Sequence, residues 1–314
     1  MSTVLVTGAT GFVGRPAVAA LRARGHEVVA VTSRPGAPVD GAARTLVADL
    51  LDADGHVALV ADAGASHLLH LAWYAEHGRF WTAPQNLDWI GATLRLLRAF
   101  CEGAGRRAVV AGTCAEYDWD SEAPLAEHGT PLRPSTLYGA AKRATHVAAD
   151  AYARQEGLGL AWGRIFFLFG AGEAPGRLIP SVAGALLRGE DAAVTAGDQV
   201  RDFLAIEELG DAFAALLESD VDGAVNVASG RAVTVRDVVG MVGRALGAEE
   251  RVRYGALPAR PGDPPSIVAD VRRLRDEVRW APRETLEAGI ERVVAALRDA
   301  SPQRDAQGGV AGSR

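Results

Sequence analysis

The chain has 314 residues, 48% of them hydrophobic and 23% charged, with a formal net charge of −6 at pH 7. That composition excludes a disordered chain, which cannot bury enough apolar surface to fold, and no apolar run reaches the roughly 18 residues that span a bilayer. The acidic balance argues against nucleic acid as a partner, and residues 1–8 lack the basic and then apolar pattern of a signal peptide, so a soluble, cytoplasmic protein with no membrane partner is expected.

In chain order, a β-rich run at 3–8 leads into helical spacing over 12–24. Strands follow at 27–33 and 44–49, a helix near 55–62, a buried strand at 66–72 and a helix near 84–102. A strand at 107–113, a long helix over 135–156 and a sixth strand at 160–167 complete the series. Short apolar runs alternating with helices are strands covered on both faces. The expected fold class is α/β, a Rossmann-like doubly wound parallel sheet. Beyond residue 170 the texture is mixed. Helices are expected at 178–187, 207–218 and 235–246, extended pieces at 191–194, 203–206 and 224–227, and loops in the Pro/Gly-rich stretches 171–176 and 257–265. The domain reading is a Rossmann domain over 1–170, to which parts of the later chain return. A smaller mixed α/β substrate-binding lobe over 171–299 and a disordered tail over 300–314 complete it. No internal repeat is seen.

Metal chemistry is not expected. The two cysteines, Cys101 and Cys114, make neither a disulfide framework nor a zinc site, and the seven histidines show no HxH or HxxxH spacing.

The first strand ends in Gly8-Ala9-Thr10-Gly11-Phe12-Val13-Gly14. Gly8 permits the tight turn, Gly11 lets the backbone approach a pyrophosphate, and Gly14 lets the helix pack closely on the strand. The helix N-terminus then faces the phosphates with free N–H groups and the positive end of its dipole. The segment Gly8–Gly14, including Thr10, Phe12 and Val13, is therefore a dinucleotide site. The second strand ends Thr32-Ser33-Arg34, where an acidic residue would bind the adenosine 2′-OH of NAD. Ser33 and Arg34 offer a hydroxyl and a fork of donors, which suit the 2′-phosphate of NADP. NADP is the expected cofactor, with NAD the alternative. Asp49, closing the third strand, suits the adenine amino group or a helix N-cap.

Of the 33 basic residues only one is lysine, Lys142; the rest are arginine. A compact ammonium kept in an arginine-rich chain suggests a site that a planar guanidinium cannot serve. Tyr138 and Lys142 stand at i and i+4 and share one helix face. An ammonium about 4 Å from a phenolate is worth roughly 4 kcal/mol at an effective dielectric near 20. That is about three pKa units, which brings Tyr138 from about 10 towards 7 and makes it a general acid or base at neutral pH.

With these residues the chain resembles the extended short-chain dehydrogenase/reductases, the NAD-dependent epimerase/dehydratase branch acting on nucleotide sugars, over residues 3–295. Gly8–Gly14 looks like its cofactor turn, Ala48-Asp49-Leu50 like its adenine-contact segment, and His70-Leu71-Ala72 like the end of its fourth strand. The resemblance places Leu50, Leu71 and Ala72 at the cofactor. It also implies that Thr113, 25 residues before Tyr138, hydrogen-bonds the reacting oxygen. Gly163-Arg164, Phe169-Gly170, residues 200–206, Asn226–Gly230 and Arg260-Pro261-Gly262-Asp263 are similar to further family segments. Arg201 and Arg260 then meet a nucleotide diphosphate. Homodimerisation through the helices at 84–102 and 135–156 is implied as well; a light-scattering mass near that of one chain would sink it.

Two positions depart from the pattern. Trp89 stands where the family carries a proton-relay asparagine; Asn86, one turn earlier, could substitute, and whether it does is left open. The 4,6-dehydratases have an Asp-Glu pair directly after the Ser/Thr, where this chain has Cys114 and Ala115. Glu116 is expected in an extended segment, pointing away from the face that bears Ala115. A dehydratase is therefore not expected. Residues 112–119 look similar to those of reductases acting on nucleotide-linked 4-keto-6-deoxy sugars. The expected reaction is NADPH-dependent reduction of a C4 ketone, with Tyr138 as proton donor, Thr113 bonding the same oxygen and Lys142 tuning Tyr138 and holding the nicotinamide ribose. Trp73, Tyr74, Phe80, Trp81 and Trp89 suggest either an apolar pocket for a 6-deoxy methyl group, with Trp73 as the substrate contact, or equally packing under a loop. A 4-epimerase holding NAD tightly is the alternative. A non-catalytic NADP-sensing protein is a remote one.

Overall fold

The structure, a computed structural model, describes residues 1–36, 39–103 and 105–300. Its main sheet is built from β1 (Thr3–Thr7), β2 (Glu27–Thr32), β3 (Arg44–Val47), β4 (His67–His70), β5 (Arg107–Thr113) and β6 (Gly159–Ile165). The helices between them are α1 (Gly14–Ala23), α2 (His56–Ala63), α3 (Gln85–Glu102) and α4 (Leu137–Glu156). After β6 come β7 (Phe167–Phe169), α5 (Leu178–Leu187), β8 (Ala192–Ala193), β9 (Val200–Ala205), α6 (Ile206–Glu218) and β10 (Gly223–Val227). The chain ends with β11 (Ala232–Thr234), α7 (Val235–Leu246), β12 (Val252–Arg253), β13 (Ser266–Ile267), α8 (Arg272–Asp276) and α9 (Leu286–Ala300).

The sheet order is β10-β6-β5-β4-β1-β2-β3, with every pairing parallel. The alternation within β1 shows why both faces are covered. Val4 and Val6 pack with α1 and α6 on one side, while Leu5 packs with α2, α3 and α4 on the other, and all three are fully buried. The strand order reverses between β1 and β4, and a crevice at the carboxyl ends of such strands is where this architecture takes ligands.

The expected strand at 160–167 divides. β6 stops at Ile165, and Phe167 starts β7, which pairs with β9 in a second sheet of order β11-β9-β13. Around that sheet α5, α7 and α9 bury a separate apolar cluster that includes Phe169, Val239 and Ile290. The extended piece expected at 203–206 begins earlier, at Val200, and Ile206 already opens α6. β11, β13, α8 and α9 were not expected. The first three are short. α9, however, repeats buried Leu286, Gly289, Ile290, Val293 and Val294 at helical spacing, so its signal was legible. Of the tail expected from Ala300, residues 301–314 lie outside the described residues.

Candidate active site

The glycine turn follows directly from β1. Gly8 has φ +68°, a left-handed value, and a Cβ there would come within 2.8 Å of the Ala72 nitrogen. A Cβ on Gly14 would fall 2.1 Å from the Gly8 carbonyl oxygen, so only glycine lets α1 start this close to the strand. The Gly11 N–H donates to that same oxygen at 3.0 Å. No side chain caps α1 and its first turn carries no acidic residue, which leaves its positive end open to an anion. The cradle therefore fits a dinucleotide diphosphate. Thr10, Phe12 and Val13 form its rim, with Phe12 and Val13 packed on the core below. Leu71 and Ala72 lie across from Gly8, the Leu71 N–H donating to the Thr7 carbonyl at 3.2 Å.

Beside the turn, His70 bridges the Thr7 hydroxyl at 2.7 Å and the Thr93 hydroxyl at 2.9 Å, tying β1 to α3. Burial, and then the Lys142 charge, bring its pKa down to about 3, so the ring is neutral. At the end of β2, Ser33 and Arg34 are exposed, and the Arg34 N–H donates to the Thr32 hydroxyl at 3.1 Å. No carboxylate pairs with the Arg34 guanidinium among the described residues. Asp49 is exposed and accepts from the Leu51 N–H at 3.0 Å, closing a local turn beside buried Leu50.

Tyr138 lies in the first turn of α4. Thr136 caps that turn by accepting from the Gly139 N–H at 3.1 Å. Gly139 packs so closely on the Ala115 carbonyl that a Cβ would sit 2.2 Å away, which brings Tyr138 to the end of β5. There its phenol lies near enough to the Thr113 hydroxyl for that group to favour the phenolate. Phe80 and Trp81 meet the phenol ring edge to face at centroid distances of 5.0 and 5.8 Å, and Trp119 meets Trp81 at 6.0 Å. The Tyr138 N–H donates to the Trp81 carbonyl at 3.1 Å.

Lys142 is buried. Its Nζ donates to the Ala111 carbonyl at 2.7 Å and lies 3.8 Å from the centroid of the Trp73 ring. Burial brings its pKa down to about 7. Against the expected lowering of Tyr138, burial pushes the phenol above its ordinary value and the neighbouring Thr113 hydroxyl opposes that. Lys142 stands one turn further along α4, its ammonium at the Ala111 carbonyl and the Trp73 ring.

Asn86 is fully buried and its side chain is committed within the protein. Its amide nitrogen donates to the Phe80 carbonyl at 2.7 Å and the Ala83 carbonyl at 2.9 Å, and its oxygen accepts from Trp73 Nε1 at 2.8 Å. Trp89 stacks against Trp73 at 6.0 Å.

Thr113 is held by a device that sequence reading overlooked. Its hydroxyl accepts from the Ala115 N–H at 3.2 Å, and its own N–H donates to Glu116 Oε1 at 3.0 Å, a reciprocal capping box. Cys114–Glu116 is thus a single 3-10 turn and not the extended segment expected, because the Thr-x-x-Glu pair closes it. The Thr-x-x-Glu spacing could have revealed it. Glu116 is fully buried; Trp162 Nε1 donates to Oε1 at 2.8 Å, and Arg164 Nε donates to Oε2 at 3.1 Å. Burial works to raise its pKa, but the His146 bond and the Arg164 charge outweigh it and hold the carboxyl below the usual range. Arg164 reaches on to the Tyr117 hydroxyl at 3.0 Å, and that hydroxyl donates to Asn226 at 2.7 Å. Cys114 is buried, and burial pushes its thiol up to about 12, so it is not a thiolate at neutral pH.

In the second lobe, Arg201 is buried against the Phe167 ring and pairs with Asp263 at 2.6 Å. Asp202 accepts from the Ser229 N–H and hydroxyl and the Gly230 N–H, a structural role. Arg260 is exposed on the same loop as Asp263. The structure thus brings Thr113, Tyr138, Lys142 and Trp73 together beside the glycine cradle. Arg201 lies close enough to Cys114, the neighbour of Thr113, for each to act on the other's charge, while Arg260 is exposed.

A Tyr138/Lys142 pair is thus set beside a glycine turn shaped for a dinucleotide, on a doubly wound sheet. The profile of the NAD dependent epimerase/dehydratase family matches residues 4–228, and the chain belongs to that family. It is 29% identical over 307 residues to UDP-glucose 4-epimerase of Corynebacterium glutamicum, spanning 90% of this chain and 91% of that protein. It is 30% identical over 310 residues to a dTDP-4-dehydro-6-deoxy-D-allose reductase of a Streptomyces species, spanning 92% and 94%. The structure matches that of Thermus thermophilus UDP-glucose 4-epimerase in complex with NAD, with a TM-score of 0.83, 26% identity and coverage of 95% and 100%. No helix among the described residues is long and apolar enough to cross a membrane.

Proposed function

We propose that the protein reduces the C4 ketone of a nucleotide-linked 4-keto-6-deoxyhexose with NADPH. The observation that carries this reading is the end of β2, where exposed Ser33 and Arg34, the latter without an ion-pair partner among the described residues, stand in place of a carboxylate. Their donors would hold a 2′-phosphate, Gly8–Gly14 the diphosphate, and Leu50, Leu71, Ala72 and Asp49 the rest of the nucleotide. NADPH, when bound, supplies the hydride. Tyr138 protonates the ketone oxygen as it becomes an alkoxide, Thr113 bonds that oxygen, and Lys142 holds the nicotinamide ribose. A phenol raised by burial is protonated at neutral pH, the state a ketone reduction needs. Positions 114 and 115 hold no acid or base for water elimination, and the apolar edges of Phe80, Trp81 and Trp119 suit a 6-deoxy methyl group. Similarity to the Streptomyces reductase supports the substrate class. Arg201 and Arg260, in the lobe over 171–299, would meet the substrate diphosphate. The same reading carries a cytoplasmic homodimer through α3 and α4.

Similarity to the Corynebacterium and Thermus 4-epimerases, the latter in complex with NAD, favours a second reading, a 4-epimerase that retains NAD. Mass spectrometry of the nucleotide released on denaturing gently purified protein separates the two. Substoichiometric NADP(H) or an empty site is expected; stoichiometric NAD would overturn the reductase. Arg34→Ala should weaken NADPH by about 10- to 100-fold, the value of a charge-assisted hydrogen bond, and NADH hardly at all. Equal effects on the two cofactors, measured by fluorescence titration, would reject the 2′-phosphate assignment.

A further inference from the structure

We propose that Trp73 is a positioning residue for Lys142, its indole face holding the ammonium beside the Ala111 carbonyl while Asn86 fixes the ring. The inference rests on the reading of Lys142 as a working part of the site, and it replaces the substrate contact expected of Trp73.

Lys142 is 3% exposed; among the described residues no carboxylate forms an ion pair with it, the buried Glu116 carboxylate acting on it only through space, and the His70 ring beside it is neutral. A buried ammonium loses its hydration, and burial favours the neutral amine. Two direct contacts compensate. The Ala111 carbonyl accepts one N–H at 2.7 Å, and the Trp73 ring presents its negative face at 3.8 Å. Tryptophan is the strongest of the aromatic side chains in this role, and its effect grows when the cation is desolvated. An indole free to rotate would not keep that face in place. Here the Trp73 N–H is tied to Asn86 Oδ1 at 2.8 Å, and the ring is stacked on Trp89. Asn86 in turn is clamped by the Phe80 and Ala83 carbonyls. The loop that carries these carbonyls also offers the Trp81 carbonyl to the Tyr138 N–H and the Phe80 and Trp81 edges to its ring. One loop therefore sets the phenol directly and the ammonium through Asn86 and Trp73. Trp73 has its N–H and one ring face committed within the protein, which leaves little of it for a sugar.

The chain's single lysine makes a direct test possible. Protein grown with 13C,15N-lysine gives one lysine spin system, whose Cε shift is followed against pH in the cofactor-free full-length chain. The wild-type midpoint is expected well below the ordinary lysine value. Trp73→Leu keeps an apolar wall and removes the π face, so the midpoint should fall further, by about half to one unit. Trp73→Phe keeps a face and should stay near wild type. A midpoint that stays or rises in Trp73→Leu overturns the proposal, as does a Trp73→Phe shift as large as that of leucine. Should the leucine variant fail to fold, Trp73→Met gives the same contrast. The titration uses neither NADPH nor sugar, so the proposal and the reductase reading can fail separately.

Discussion

Tyr138→Phe is expected to lower turnover by about 10²–10⁴-fold, the usual worth of a positioned general acid, with cofactor affinity little changed. The substitution removes one oxygen and keeps the ring, whose packing against Phe80 and Trp81 does not involve the hydroxyl. The Tyr138 N–H bond to Trp81 is a backbone contact and survives. Thr113 loses a neighbouring hydroxyl but keeps its bond from the Ala115 N–H. Folding should therefore be close to wild type, and the loss should appear in kcat. Single-turnover oxidation of NADPH with a 4-keto-6-deoxy nucleotide sugar is the measurement. Full activity in the phenylalanine variant would remove Tyr138 from the mechanism.

Glu116→Ala is expected to cost about 3–5 kcal/mol of stability, the range for breaking a buried ion pair from one side. Its carboxylate is the acceptor for Arg164 Nε, Trp162 Nε1 and the Thr113 N–H, all inside the molecule. Arg164 is 1% exposed, so it would be left as a buried cation held by Tyr117 alone among the described residues, through the hydroxyl and the ring face. Glu116→Gln keeps an acceptor but not the charge and should lie between the two. The pH dependence follows from the direction of the shift. The folded carboxyl lies below its ordinary 4.5, so its contribution is present above 4.5 and is lost as pH falls through the folded value. Urea unfolding of wild type and variants at neutral and acid pH is the check. An alanine variant within about 1 kcal/mol of wild type would show that Arg164 finds other compensation. Because Glu116 also closes the turn that presents Thr113, the glutamine variant should lose activity before it loses its fold.

Much of this site could be read locally. The glycines at 8, 11 and 14 each answer a backbone requirement, and the Tyr138/Lys142 pair announces itself by helical spacing and by the single lysine in the chain. The Ser33-Arg34 strand end was equally plain, since it is a matter of which residue follows a β-run. The limits of local reading show at Lys142 and Asn86. Spacing placed the ammonium on the same face as the phenol, but its contacts, the Ala111 carbonyl from β5 and Trp73 from beyond β4, come from residues distant in sequence. Asn86 looked available for a relay until the loop at 80–83 was seen to use both its donors. The break between β6 and β7 belongs with these, because what divides one apolar run is a second sheet waiting for its latter half.

The sequence by itself determined the doubly wound sheet, the glycine turn, the shared helix face of Tyr138 and Lys142, and the family. These depend on periodicity and on residue types at fixed short separations, which the chain carries in order. Only the tertiary structure decided which partner each polar head takes. Glu116 became a buried anchor for Arg164, Asn86 a clamp on Trp73, and Arg201 the partner of Asp263. Those choices are made by groups distant in sequence that burial brings within hydrogen-bond range, where an unpaired charge or dipole is too costly to leave.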